Sequence, residues 1–121
     1  PLLGTATADK ALKLINHPVR QDIPIWWASL KEKAVEATAA TADGWLPIGG
    51  GGVRRSLPIL QEAWAAAGRD GSPDVVPFGT IPNREKLDQY AELGCTEVVL
   101  NVDSRPRDEV LTILDGFAEY L

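Results

Sequence analysis

No methionine occurs anywhere in this 121-residue chain, not even at position 1, which predicts a processed chain or a piece of something longer. Cysteine and histidine are each present once. With Cys95 alone no intrachain disulfide can form, and with His17 as the sole histidine there is no zinc-ligand spacing, so no metal site is expected. No apolar run approaches the roughly 18 residues that a spanning helix needs, and the opening Pro1-Leu2-Leu3-Gly4 lacks both a basic segment and a long apolar one. The expectation is a cytoplasmic protein with no membrane partner. Basic side chains are in deficit, 12 against 17 acidic, for a net charge of -5. That balance repels phosphate backbones, and no basic patch is interleaved with aromatics, which argues against a nucleic-acid partner.

What is present is apolar and periodic. Hydrophobic residues make up 45% of the chain, enough for the core of one domain at this length. The run Ile23-Pro24-Ile25-Trp26-Trp27-Ala28 is followed by an Ala-rich stretch over Lys31 to Thr41 and then by Trp45-Leu46-Pro47-Ile48. Two apolar runs separated by about a dozen helix-forming residues are too far apart for a hairpin and suit a parallel crossover. In the intervening helix Ala34, Val35, Thr38 and Ala42 form one stripe.

The same strand and helix unit recurs. After Trp45 to Ile48 come Gly49, Gly50, Gly51 and Gly52, then a helix near Arg54 to Ala67 with Leu57, Leu60, Trp64 and Ala67 inward and Gly68 as its C-terminal cap. Pro58 is expected to place the start of regular helix close to itself, with Ser56 or Leu57 in the entry turn. A third strand over Val75 to Thr80 precedes a helix over Arg84 to Leu93, capped by Asn83, ended by Gly94 and facing inward with Leu87, Tyr90 and Ala91. The fourth strand, Thr96 to Val102, is apolar at its centre like a strand buried on both faces; Cys95 just before it reads as core. The last helix, Arg105 to Leu121, carries Val110, Leu111, Leu114, Phe117, Ala118 and Leu121 on one face, with Ser104 or Asp103 available to cap it and Pro106 tolerated in its first turn. Residues 1–22 read as a connecting segment, with Lys10 to Ile15 helical and His17-Pro18 ending that turn.

The fold class is therefore α/β with four consecutive parallel βα units. Such a chain can close as a flavodoxin-like open sheet or form half of a (β/α)8 TIM barrel, which typically needs about 250 residues. The segments His17-Pro18-Val19-Arg20-Gln21-Asp22-Ile23-Pro24-Ile25-Trp26 and Ala42-Asp43-Gly44-Trp45-Leu46-Pro47-Ile48 resemble the C-terminal half of the bacterial luciferase-like flavin and deazaflavin oxidoreductases. Ala67-Gly68-Arg69-Asp70, the run from Tyr90 to Leu100 and Asp108-Glu109-Val110-Leu111 are similar to that family's closing segments. The resemblance extends from Lys10 onward and implies that the strands are the fifth to eighth of the barrel, with residues 23–121 as the C-terminal half-barrel. It further implies FMN or the deazaflavin coenzyme F-420 (8-hydroxy-5-deazaflavin) at the C-terminal mouth, and hydride transfer between that cofactor and a small organic substrate. The first four strands, which in the family carry much of the wall along the ring and the usual catalytic acid or base, have no counterpart here, so no catalytic residue is assigned.

Gly49, Gly50, Gly51 and Gly52 followed by Arg54 and Arg55 form the leading cofactor-binding candidate, because glycines let backbone N–H groups approach an anion and a helix N-terminus adds partial positive charge. The other reading of these residues is a flexible loop with two solvated arginines, since no Walker-type Lys or Ser follows; the resemblance favours phosphate. Ala28, Ser29 and Leu30 occupy the place where relatives carry a Gly-containing turn that contacts the cofactor's phosphate tail. Both characteristic positions are changed here, with Lys31 offering an ammonium, Glu32 opposing a phosphate and Ser29 remaining a donor. Thr80, Asn83, Asn101 and Asp103 lie at strand ends, where barrel enzymes place reactive groups, although capping is the commoner task for Asn83 and Asp103. Trp26 and Trp27 point to opposite faces of their strand and read as packing residues. His17 has no nucleophile or carboxylate at a catalytic spacing.

Two other readings stand beside an oxidoreductase part. One is a non-catalytic, self-associating half-barrel that has lost the cofactor site, and whether the chain alone is an enzyme stays open. The other is an independent flavodoxin-like phosphate-binding module. A half-barrel exposes two sheet edges and an apolar inner face, so a homodimer or union with a missing N-terminal half-barrel is the expected partnership.

Overall fold

Strands and helices alternate along the chain in a computed structural model that describes residues 19–20, 22–50 and 52–121. The elements are β1 (Trp26–Ala28), α1 (Glu32–Thr41), β2 (Gly44–Leu46), α2 (Val53–Ala66), β3 (Asp74–Val75), β4 (Phe78–Thr80), α3 (Arg84–Glu92), β5 (Val99–Leu100) and α4 (Arg107–Phe117), with a 3-10 turn at Ala118–Tyr120. Every strand pairing among the described residues is parallel. β1 pairs with β2 through Trp26–Gly44, Trp27–Trp45 and Ala28–Leu46, β2 with β3 through Trp45–Val75, and β4 with β5 through Phe78–Val99. The helical crossovers expected from the spacing are thus present, and the helix predicted over residues 10–15 lies outside the described residues.

The third strand departs from expectation by splitting in two. Val76 and Phe78 donate to Trp45 and Pro47 on one side, while on the other the carbonyls of Val75 and Pro77 accept from Thr96 and Val99. Pro77 faces β5 with a carbonyl but no N–H, so one rung is missing and the regular ladder breaks there. A bridge between Ile48 and Phe78 carries the pairing across the break, so the strand order stays continuous from β1 to β5.

The core lies between one face of β2–β3 and helices α1 to α3. Val35 and Ala39 of α1, Trp45, Val75, Leu57, Leu60 and Trp64 of α2, and Tyr90 of α3 pack together. Leu87 is half-buried, but Ala67 and Ala91, expected inward, are exposed. Helix α2 begins at Val53, five residues before Pro58, rather than next to it. An exposed proline at that point deletes only one rung, to the Arg54 carbonyl, which water can satisfy, while the early start buries Val53 and Ser56. Helices α2 and α3 end alike. The N–H groups of Gly68 and Arg69 return to Ala65 and Trp64, and those of Gly94 and Cys95 to Ala91 and Tyr90, both Schellman closures with glycine at positive φ.

Arg69 ties the ends of α1 and α2 together. Its guanidinium lies 3.6 Å from the Trp64 ring centroid and donates to the carbonyls of Ala39, at 3.1 Å, and Ala42, with Asp43 at 3.4 Å. A cation is thereby set against the carbonyl end of α1, where the helix dipole favours it.

The fourth unit differs most from its sequence reading. No residue from Thr96 to Val102 is fully buried, and α4 buries none of its residues. Leu111, Leu114 and Leu121 are exposed, as are Val99, Phe78 and Ile48. Their apolar pattern is that of a sheet and helix covered on both sides, and nothing among the described residues covers them. Helix α4 also starts at Arg107 with Pro106 at its N-cap and no side-chain cap. Asp103 instead accepts from Asn101 Nδ2 at 3.1 Å and pairs with Arg105 at 3.8 Å. Ser104 takes no cap role either.

Two measurements check this packing. Leu60 is fully buried, so Leu60→Ala is expected to cost about 2–5 kcal/mol in urea unfolding, against well under 1 kcal/mol for exposed Leu111→Ala. Cys95 is half-buried against the core, and burial pushes its thiol above the ordinary 9.0. Its reaction with a disulfide reagent should therefore rise with pH through a midpoint above 9.0, whereas the unfolded chain reacts with an unshifted midpoint.

Candidate functional site

The C-terminal ends of adjacent parallel strands bring the candidate residues to one edge of the sheet. Ala28 and Leu46 are register partners, so the segment after β1 and the glycine loop after β2 are neighbours. Within the first of these, Ala28 and Leu30 are exposed and Ser29 is buried. The Trp45 indole N–H donates to the Ser29 carbonyl at 2.8 Å, which fixes this turn to the core. The Ser29 hydroxyl is buried without a partner among the described residues. Lys31 stands at the N-cap of α1 without a side-chain cap bond, and Glu32 opens its first turn.

Gly49, Gly50 and Gly52 adopt φ of 64°, 64° and 74°, which a glycine takes without strain. Gly51 lies outside the described residues. Gly52 is the N-cap of α2 and offers no side-chain oxygen, so the Val53 and Arg54 N–H groups keep no helical partner. Arg54 and Arg55 are exposed in this first turn, and no acidic residue accompanies them there. Gly50 is also demanded by space: a Cβ there would stand 1.7 Å from Tyr90 Oη and 3.4 Å from Thr80 Oγ1. Both hydroxyls are buried with no hydrogen-bond partner among the described residues.

Of the strand-end polar residues, Thr80 ends β4 and is almost fully buried. Asn83 is a cap, its Oδ1 accepting the Lys86 N–H at 3.2 Å. Asn101 and Asp103 line a cleft of about 540 Å³ with Ile81, Arg105 and Phe117 at the same end of the sheet. Trp26 and Trp27 do face opposite ways. Trp27 shares the face of Trp45, whereas the Trp26 ring lies against Gly44 and donates to Asp74 at 3.2 Å. Both remain partly exposed, at 37% and 45%, so neither is a core residue among the described residues. His17 lies outside the described residues. No group of three or more His, Cys, Asp or Glu suited to a metal occurs among the described residues, and no helix there is long and apolar enough to cross a membrane.

The contribution of α3 was not legible in the sequence. Tyr90 looks like an inward helical aromatic and Lys86 like a solvated cation, and only the course of the glycine loop over Tyr90 brings them to the site.

Residues 4–97 match the model of the luciferase-like monooxygenases, most of the chain. The chain belongs to this family. An uncharacterized protein of Mycobacterium tuberculosis, Rv0953c, and one of Mycobacterium bovis, Mb0978c, are each 36% identical to it over 106 residues, 86% of this chain and 38% of theirs. The chain therefore spans 38% of the length of these curated relatives. A further M. tuberculosis protein, named "Putative coenzyme F420-dependent oxidoreductase Rv3520c", is 51% identical over 45 residues, 37% of this chain and 13% of that protein. No solved structure matches the chain. The α/β architecture with parallel strands fits the TIM-barrel type of fold, as the resemblance implied.

The close approach at Gly50 gives a direct check. Gly50→Ala is expected to destabilise the chain by more than the roughly 1–2 kcal/mol of a left-handed alanine, and adding Tyr90→Phe should recover part of that loss. Equal losses in the single and double variants, read from thermal unfolding, would separate the loop from Tyr90.

Proposed function

We propose that residues 23–121 form strands five to eight of the (β/α)8 barrel of a flavin- or deazaflavin-dependent oxidoreductase, with residues 1–22 as a connecting segment. In this reading the chain contributes phosphate and substrate-loop contacts at the barrel mouth. The observation that carries it is a set of unsatisfied donors at one end of a parallel sheet. Buried, unpartnered hydroxyls on Ser29, Thr80 and Tyr90 accompany a glycine-capped helix N-terminus bearing Arg54 and Arg55. Buried polar groups without partners are costly, and an anionic ligand relieves that cost at such a site.

The donor set fits a phosphate-bearing cofactor, FMN or coenzyme F-420. Such a cofactor, when bound, supplies the ring that accepts or gives up hydride. Arg54 and Arg55 neutralise its phosphate, the N–H groups of Val53 and Arg54 in the first turn of α2 orient it, and the Ser29 turn, held by Trp45, lines the neighbouring position. The name of the M. tuberculosis relative that matches over 45 residues favours the deazaflavin. Its substrate would be a small organic molecule, and the remaining wall and the acid or base would come from the other half of the barrel.

A second reading keeps the fold without catalysis, as a self-associating half-barrel. The uncovered apolar residues of α4 and β5 favour an association, whether with a second copy or with an N-terminal half-barrel. Neither arrangement requires the chain to act alone.

Titration of the full chain with FMN and with coenzyme F-420, read by fluorescence and by native mass spectrometry, tests both readings. Arg54→Ala with Arg55→Ala is expected to weaken cofactor binding by about tenfold or more, in keeping with the loss of charge-assisted hydrogen bonds. Unchanged affinity would remove the glycine loop as the phosphate site. A dimer that binds neither cofactor would favour the non-catalytic reading.

A further inference from the structure

We propose that Trp45 is a positioning residue for the site: by holding the Ser29 carbonyl in the core it turns the Leu30 N–H to the opposite side, as a fixed donor to an acceptor oxygen of the bound cofactor. The inference rests on the cofactor reading above and adds to it a donor and the residue that orients it. The Trp45 ring is 1% exposed and packs in one cluster with residues of α1 and α2, on the helix side of the sheet. Its N–H reaches the Ser29 carbonyl at 2.8 Å, just past the end of β1. A trans peptide is planar, and its carbonyl and N–H point in opposite directions. The Ser29–Leu30 peptide sends its carbonyl towards the helix side, so it sends the Leu30 N–H towards the other face. That N–H makes no hydrogen bond among the described residues, and Leu30 is 48% exposed.

A buried indole needs an acceptor wherever it lies, so the bond alone would describe a satisfied core residue. The choice of acceptor is what gives direction. The Ser29 hydroxyl is buried in the same turn and has no partner among the described residues, while the indole takes the backbone carbonyl, the group that fixes a peptide plane. The turn also keeps its shape without glycine, because Ser29 and Leu30, like every described residue other than glycine, avoid positive φ. The changes from a glycine-containing turn therefore cost it no backbone donor. From Trp45 the same strand runs on into the glycine loop, where the Gly49 N–H donates to the Phe78 carbonyl at 2.6 Å and the Gly50 N–H to that of Pro47 at 3.3 Å. With Ala28 and Leu46 as register partners, the Leu30 donor and that loop are set against each other through one strand pair.

Titration of the isotope-labelled full chain with FMN, riboflavin and coenzyme F-420, followed by amide NMR and by calorimetry, tests this role. The Leu30 amide resonance of the wild type is expected to shift on binding. A shift with FMN and not with riboflavin would place the acceptor on the phosphate, and a shift with both would place it on the ring, each in support. Trp45→Phe keeps an apolar ring and removes the indole donor, whereas exposed Leu30→Pro removes the amide itself and leaves Trp45 in place. Each variant should weaken cofactor binding about tenfold and the double variant no further, because both act through one donor. Leu60→Ala, a loss of packing in the same core, should leave the affinity unchanged below its unfolding temperature. An unshifted Leu30 amide in a chain that binds cofactor, full affinity in both variants, or losses that multiply in the double variant would overturn the role of Trp45 while leaving the cofactor reading intact. Binding of neither FMN nor coenzyme F-420 would overturn that reading and this role with it.

Discussion

The indole of Trp45 is the contact on which the rest of the structure depends. It sits at the centre of β2, a strand paired on both sides, and its ring packs in one cluster with residues of α1 and α2 while its N–H reaches the Ser29 carbonyl. One side chain thus joins the core to the turn that follows β1. Burial of a large aromatic with its single donor satisfied combines apolar contact with direction, and the direction is what a site needs. The glycine loop starts a few residues farther along the same strand, so both candidate loops take their positions from one packed residue.

Arg69 performs the complementary task at the opposite end of the helices. Its stack on Trp64 and its bonds to the last carbonyls of α1 hold α1 against α2, which keeps the two crossovers in one layer. The sequence Ala67-Gly68-Arg69-Asp70, one of the segments similar to the luciferase-like family, is thereby accounted for physically. Gly68 closes the helix, Arg69 bridges to α1, and the Asp70 carbonyl accepts the Trp64 indole N–H.

Much of the fold was legible because its signals are local. Apolar runs separated by Ala-rich spacing gave the parallel crossovers, and Asn83, Gly68 and Gly94 marked their helix ends as capping chemistry dictates. The failures share a cause, which is that the deciding partner is distant in sequence. The break at Pro77 depends on which neighbour its missing N–H faces, and the early start of α2 on the depth at which Val53 and Ser56 are buried. The apolar face of α4 was read correctly as apolar, but covering it takes a surface that the described residues do not provide. At the site, the glycines and arginines were evident as an anion-binding pattern, whereas Tyr90 and Lys86 carry no signature until the loop is seen lying over them.

That overlap binds two distant positions into a single unit of variation. As long as residue 90 is a tyrosine, position 50 has no room for any side chain, so the loop can be remodelled by changing its length or its flanks but not by decorating this residue. Conversely, a chain carrying a side chain at 50 must have made space beneath it first, most simply by losing the phenol. The chemistry of the loop after one strand is in this way answerable to the helix after the next, and a change of ligand at this edge of the sheet has to be made in both places, in that order.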